Sequence, residues 1–375
     1  MDFLAPFVSY YYYIYWLSVM LLTISQFRLL NRYHGYSVIA RKNDYRLLVI
    51  FTIFFIFFFG LRPLVEGHGS FGDTMNYYST YKLIQDYGVF SMKGSTEISR
   101  DWLFYKFMYL CAYIMDAHLF FTICIFLYVI MAFAGCRKID MRHGALLMLF
   151  YYGSFEFYPF AINGIRNGIA CSFVIMAVAC LCKKEKLLAI ILSFIAIGFH
   201  KSAILPVAMM FFTYYVYKPR LFYIVWLGAI VLSLTIGGYI DGLLSSISYD
   251  DRITSELQNN EADGQVLSHR FRWDLLLYSS MPILLGWYTL FKRKLYNNTY
   301  LILLGTYIYA NAFWVLAIRA MFSNRIAYLS WFLYPIVLAY PLLNFPVFKK
   351  NHNQKTAWIL LGQFGFTTLL WLLGK

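Results

Sequence analysis

The chain has 375 residues, of which 61% are hydrophobic, 21% aromatic and only 13% charged, with a mean hydropathy of +0.59. A soluble domain carries about a quarter charged residues, so too little polar surface is present to cover a water-soluble globule, and the repeated apolar runs make this an all-α polytopic membrane bundle. Continuous rather than alternating runs exclude an outer-membrane barrel, and a net charge of +14 scattered over short loops is the positive-inside pattern, not a nucleic-acid surface.

In chain order the predicted spans are 7–27, 47–61, 118–135, 144–160, 163–182, 187–200, 202–217, 221–240, 274–291, 299–317, 326–344 and 357–373, about twelve in one domain over 1–375. Asp2 precedes the first span and no Lys or Arg occurs before Arg28, so the basic start of a secretory signal is missing and the N-terminus is expected outside. Tyr10 to Trp16 suits a membrane interface. The pairs 144–160/163–182 and 187–200/202–217 are short enough for tight or partly re-entrant hairpins, and Asp101–Asp116 reads as an interfacial or half-inserted helix.

With the N-terminus outside, the loops 28–46, 137–142, 183–186, 218–220, 292–294 and 349–355 are cytoplasmic, and they hold most of the 32 Lys and Arg. The outer face carries the two larger extracytoplasmic loops, 62–100 and 241–273, and nearly all the unusual polar residues. Ser245–Gly264 in the second is polar and acidic, either a lid or a flexible connection. Six cysteines lie in or beside apolar segments and read as small core residues rather than a disulfide framework. No metal site or cofactor motif is expected.

Gly60–Tyr78 follows an apolar run and gathers Arg62, Glu66, His68 and Asp73 at the mouth of a span. Gly67, Gly69 and Gly72 spell G-x-G-x-x-G, but that fingerprint needs a strand before it and a helix after it, and a membrane span precedes it here. Arg62 is placed to hold a phosphate or sugar hydroxyl. Asp73, Asn76 and Tyr77 combine carboxylate, amide and ring as sugar recognition does, although Asp73 could equally cap a helix beginning at Thr74.

Arg166, near the head of an apolar helix, is the strongest chemical signal, because a cation in a span is costly and marks function by default. Asn163, Arg166, Asn167 and Ala170 form one polar stripe, while Gly164, Gly168 and Ser172 line a face that allows close helix contact. His200 ends an apolar run and can act as a general base. His269, Arg270, Arg272, Arg319 and Arg325 fall at outer ends of spans, where converging cations would suit a pyrophosphate.

With these residues in place the chain resembles the EpsG-like family of bacterial polysaccharide polymerases, relatives of the Wzy-type O-antigen and capsule polymerases. The elements that carry the resemblance are Gly60-Leu61-Arg62, Gly72-Asp73-Thr74 with Asn76-Tyr77, Ile165-Arg166 with Gly168-Ile169-Ala170, Phe199-His200-Lys201-Ser202-Ala203 and Asn324-Arg325-Ile326-Ala327-Tyr328. One departure is Arg166-Asn167, where the family usually reads Arg-Gln; the shorter amide keeps its hydrogen bonding but reaches less far.

The resemblance implies a metal-independent glycosyltransferase of the bacterial cytoplasmic membrane with its site on the outer side. It would join oligosaccharide repeat units carried on polyprenyl pyrophosphate into O-antigen, capsule or exopolysaccharide. Its partners would be the lipid-linked donor and acceptor, membrane lipid and a chain-length regulator protein. His200 or Asp73 would deprotonate the attacking hydroxyl, and Arg166, Arg272 and Arg325 would neutralise pyrophosphate. Two other classes stay open: an exporter (flippase) of lipid-linked sugars, and a membrane O-acyltransferase built around His200.

Overall fold

The structure is a computed structural model that describes residues 10–32, 38–64, 71–88, 101–247, 271–319 and 323–373, and the regular elements among them are helical. In order these are α1 (Tyr11–Arg32), α2 (Val38–Gly60), α3 (Gly72–Tyr87), α4 (Trp102–Ala112), α5 (Ala117–Ile139), α6 (Gly144–Tyr152), α7 (Phe157–Ile162), α8 (Ile165–Cys182) and α9 (Lys186–Phe199). A 3₁₀ turn (Lys201–Ala203) leads to α10 (Ile204–Tyr215), followed by α11 (Pro219–Ile247), α12 (Trp273–Trp287), α13 (Asn298–Leu316), α14 (Ser323–Trp331), α15 (Tyr334–Asn344) and α16 (His352–Leu373).

Six helical stretches among the described residues are long and apolar enough to cross a membrane: Tyr11–Asn31, Ala117–Ile139, Ile165–Cys182, Pro219–Gly237, Asn298–Leu316 and Arg325–Asn344. Two shorter apolar helices are Tyr45–Gly60 and Lys186–Phe199. This is a helical membrane protein; among the described residues six stretches, against the twelve runs of the sequence, meet that length and composition.

Local chemistry explains several of the differences. The expected span 144–160 is two helices, α6 and α7, separated at residues 153–156. The Ser154 hydroxyl turns back to the Tyr151 carbonyl at 2.7 Å, and Pro159 is tolerated because it sits in the first turn of α7, where no N–H is needed. Since α8 begins only at Ile165, Asn163 lies before it, as the cap just after α7, and is not part of a continuous polar stripe with Arg166. The expected loop 62–100 contains a helix, α3. It starts at Gly72, whose φ of +37° suits glycine, and stops at Gly88 in the left-handed region, where the N–H donates to the Ile84 carbonyl at 2.9 Å.

Two compact units emerge, residues 1–204 with 339–375, and residues 205–338. In the first, α5 packs on α8, α8 on α9, α2 on α5 and α1 on α16. Its two ends differ in chemistry. At one end Lys138 pairs with Glu185 at 2.6 Å, and the Asp140 carboxylate takes hydrogen bonds from His143 Nδ1 at 2.9 Å and Asn344 Nδ2 at 2.8 Å. The other end, where α2 and α9 finish and α3, α4, α5 and α8 begin, carries the candidate site.

In the second unit α11 packs on α13 and α13 on α14. The Trp226 indole N–H donates to Asn311 Oδ1 at 2.9 Å, and Asn311 Nδ2 donates to Ser330 Oγ at 3.3 Å. These bonds satisfy polar groups inside an otherwise apolar core.

Candidate functional site

The site is assembled around a carboxylate that sequence reasoning took for the edge of an interfacial helix. Asp101 immediately precedes α4 and is buried, its side chain 6% exposed. Its Oδ2 accepts from Arg166 Nη1 at 2.8 Å and lies 3.1 Å from His200 Nδ1. Its Oδ1 accepts from the Lys201 N–H at 2.9 Å. A buried charge is tolerable only when paired and fully hydrogen-bonded, and both oxygens meet that condition.

Each partner arrives for a local reason. His200 ends α9 in extended conformation (φ −152°, ψ 117°), which leaves the helix axis and presents both its ring and the next N–H to Asp101. Gly198, two residues earlier, lets α4 come close: a Cβ there would stand 3.0 Å from Leu103 Cβ and 3.3 Å from Trp102 Cζ2. Arg166 sits in the first turn of α8. Gly168, on a neighbouring face, packs on Phe160 of α7, where a Cβ would fall 2.9 Å from Phe160 Cβ; this is the close contact the small-residue pattern anticipated.

Two tyrosines complete the arginine's surroundings. Arg166 Nε donates to the Tyr77 hydroxyl and Nη1 to the Tyr105 hydroxyl, both at 3.1 Å. The guanidinium carbon also lies 5.3 Å from the Tyr77 ring centre and 5.6 Å from that of Tyr105, within cation–π range. Arg166 is 16% exposed, and His200, at 26%, is the most open of the three charged or titratable groups.

The electrostatics follow from this geometry. Burial alone would raise the Asp101 carboxyl; the hydrogen bond and charge of His200, the Arg166 guanidinium and the Lys201 N–H outweigh it, so Asp101 ionises below the usual aspartate range. An ionised Asp101 favours the His200 tautomer with its proton on Nδ1, which makes Nε2 the acceptor nitrogen. The arrangement therefore orients His200 with Nε2 as the acceptor, the atom through which a general base would act. Among the described residues no group of three or more His, Cys, Asp or Glu is placed to hold a metal ion.

The other candidates from the sequence are distributed as follows. Asp73 does not cap α3; it lies in the first turn, and its Oδ1 accepts from Asn76 Nδ2 at 3.4 Å on the exposed side. Asn163 is exposed, with its side chain against Gly72. Asn167 turns its Oδ1 to the Cys171 thiol at 3.3 Å. Arg62 is fully buried, and its Nη1 bonds lie inside the fold, to Thr74 and the Ile162 carbonyl.

Arg272, Arg319 and Arg325 belong to the second unit. Arg272 is held by Asp274 in a two-pronged pair at 2.9 and 2.7 Å. Arg319 lies over the Phe271 ring at 5.6 Å, and Arg325 is exposed. Arg270 lies outside the described residues, as do His68, His269 and most of Ser245–Gly264.

Sequence patterns do not single out Asp101, Tyr105 or Thr74, whose hydroxyl oxygen accepts from Arg62 Nη1 at 3.1 Å. For two of them the spacing still holds a signal: Asp101 and Tyr105 are four apart, hence on one face, at the head of a segment whose remaining residues are mostly apolar.

The family model that describes the EpsG family matches residues 45–373. The chain belongs to the EpsG family. No curated protein and no solved structure matches it. Membership makes it a membrane protein of polysaccharide biosynthesis, of the polymerase type. Within the first unit of this EpsG chain, three of the short elements that carried the resemblance come together: Tyr77 touches Arg166, and His200 reaches Arg166 through Asp101.

Proposed function

We propose that this EpsG-family chain is a glycosyltransferase that polymerises oligosaccharide repeat units carried on polyprenyl pyrophosphate, at the outer face of a bacterial cytoplasmic membrane. The observation that carries the reading is the Asp101–His200 pair, held by Arg166, at one polar end of a helical bundle. The site side of the first unit is the end opposite the basic loops 137–142 and 183–186, which supports an outward-facing site by the positive-inside rule.

In the reaction a sugar hydroxyl of the acceptor unit attacks the anomeric carbon of the donor chain. The new glycosidic bond forms as the bond from that carbon to the pyrophosphate oxygen breaks, and the electron pair leaves on the polyprenyl pyrophosphate. His200 Nε2 takes the hydroxyl proton, and Asp101 stabilises the imidazolium. Arg166 holds Asp101 ionised and in place, and Tyr77 and Tyr105 hold Arg166. Half-buried Asp73 and exposed Asn76, beside Tyr77 on α3, are the groups for sugar hydroxyls.

The test is glycan analysis of cells carrying His200→Ala or Asp101→Asn at normal protein level. The reading expects single repeat units, already facing outward, in place of polymer. Inward-facing units would make the chain an exporter, and polymer of full length lacking ester groups would make it an O-acyltransferase.

A further inference from the structure

Arg62 plays no part in the proton chemistry above, yet among the described residues it is the one Lys or Arg that is fully buried, at 0% exposure. It follows the end of α2. Its Nη1 donates to Thr74 Oγ1 at 3.1 Å and to the Ile162 carbonyl at 3.0 Å, and the Thr74 hydroxyl donates to the same carbonyl. The guanidinium carbon lies 4.9 Å from the Phe121 ring centre, with Tyr11, Cys124 and Tyr158 as further neighbours. Enclosing a guanidinium among such groups costs desolvation that a methionine of similar length would not incur. Packing alone therefore does not select arginine here. What only a multi-donor side chain supplies is the pair of bonds from Nη1.

Both acceptors stand one helical step from the site. Thr74 precedes Tyr77 by three residues on α3, and Ile162 ends α7 four residues before Arg166. The first turn of α3 already rests on the α7–α8 joint, because a Cβ at Gly72 would lie 3.1 Å from Asn163 Oδ1. Arg62 closes this contact from the third side. Gly60 brings the end of α2 against α5 so that the arginine can reach inward: a Cβ at Gly60 would lie 2.7 Å from the Thr122 Cα.

We infer that Arg62 is a positioning residue: by tying Thr74 to the Ile162 carbonyl it sets the spacing between α3 and the α7–α8 joint, and so holds Tyr77 against Arg166 and Arg166 on Asp101. Gly60-Leu61-Arg62 and Gly72-Asp73-Thr74, twelve residues apart from Arg62 to Thr74, are then two halves of one clasp. The activity side of this inference rests on the polymerase reading; the structural side does not.

The experiment compares Arg62→Met, Arg62→Lys, Thr74→Val and Thr74→Ser in the full chain. Protein amount in the membrane, polymer yield and amide hydrogen exchange in detergent are measured. Arg62→Met and Thr74→Val are expected at normal amount, with polymer reduced about tenfold or more, as misplacing a reacting group does. Faster exchange is expected in residues 72–77 and 163–168, with 117–139 unchanged. Arg62→Lys and Thr74→Ser, which keep a donor or hydroxyl, restore most of the yield.

Full polymer from Thr74→Val at normal protein amount, or unchanged exchange in both segments of Arg62→Met, overturns the inference. Should Arg62→Met not accumulate, the Thr74→Val and Thr74→Ser pair decides. If His200→Ala leaves polymer intact while the exchange changes appear as expected, the clasp stands and the polymerase reading falls.

Discussion

His200 Nδ1 lies 3.1 Å from Asp101 Oδ2 across 99 residues of sequence. A histidine alone at the end of a membrane helix has no fixed tautomer. With a buried, ionised carboxylate on Nδ1 it has one, and the nitrogen that could accept a proton is defined.

Asp101→Asn should therefore be more damaging than its size suggests. An amide oriented to donate to His200 Nδ1 would place the histidine proton on Nε2 and remove the base. Polymer formation is expected to fall about 100-fold or more, the range for losing general-base catalysis. His200→Gln should fall as far, and the double variant no further, since the two act as a unit. Gel ladders normalised to protein in the membrane check this.

Tyr77→Phe and Tyr105→Phe separate hydrogen bonding from stacking. Each removes an acceptor 3.1 Å from Arg166 and leaves a ring beneath the guanidinium. Loss of a bond to a charged group is worth about 1.5–3 kcal/mol. Either variant should make polymer at a rate lowered by about tenfold, with no loss of protein, whereas alanine at either position should cost more. Initial rates in membrane vesicles distinguish the two.

Which parts of this were legible in the sequence follows from where the information sits. The helical membrane class is carried by composition, and Arg166 and His200 stood out because a polar group against an apolar run is costly wherever the run ends up. For Asp101 the four-residue spacing to Tyr105 marks a polar face but not its charge partners, which are 65 and 99 residues away. Arg62 is legible as a cation at the end of a span, but its enclosure is not. Hydropathy says that Leu61 turns inward and Arg62 outward, yet Leu61 is 46% exposed and Arg62 is enclosed. Tertiary hydrogen bonds from other helices decided that, and they are invisible to a local pattern.

The far end of the first unit has its own pH dependence. Burial would raise the Asp140 carboxyl, but hydrogen bonds from His143 and Asn344, and the charge of His143, bring it down to about 2. A carboxyl lowered on folding stabilises fully above its unfolded pKa and loses that stability as pH falls through the folded value. The contribution, about 2 kcal/mol, should be intact at neutral pH and lost between about pH 4 and pH 2. Asp140→Asn should melt lower at pH 7 and lose less on acidification. Thermal unfolding of the detergent-solubilised chain at several pH values reports it.

Gly60→Ala tests the close approach of α2 and α5. The added methyl would meet Thr122 Oγ1 at 2.6 Å and Cα at 2.7 Å. Overpacking of this kind costs about 1–3 kcal/mol. Thr122→Ala should not rescue it, since the Cα remains, and a lowered unfolding temperature in both the single and the double variant is the expected result.

The order of the charged residues along the chain bears on how the protein is made. Synthesis delivers Asp101 first, Arg166 sixty-five residues later and His200 last. When the helix headed by Arg166 enters the bilayer, its counter-ion is thus already waiting at the membrane surface. The cation, the costliest group to insert, never has to find a partner that has yet to be translated. The histidine, whose partner Asp101 was made 99 residues earlier, comes last.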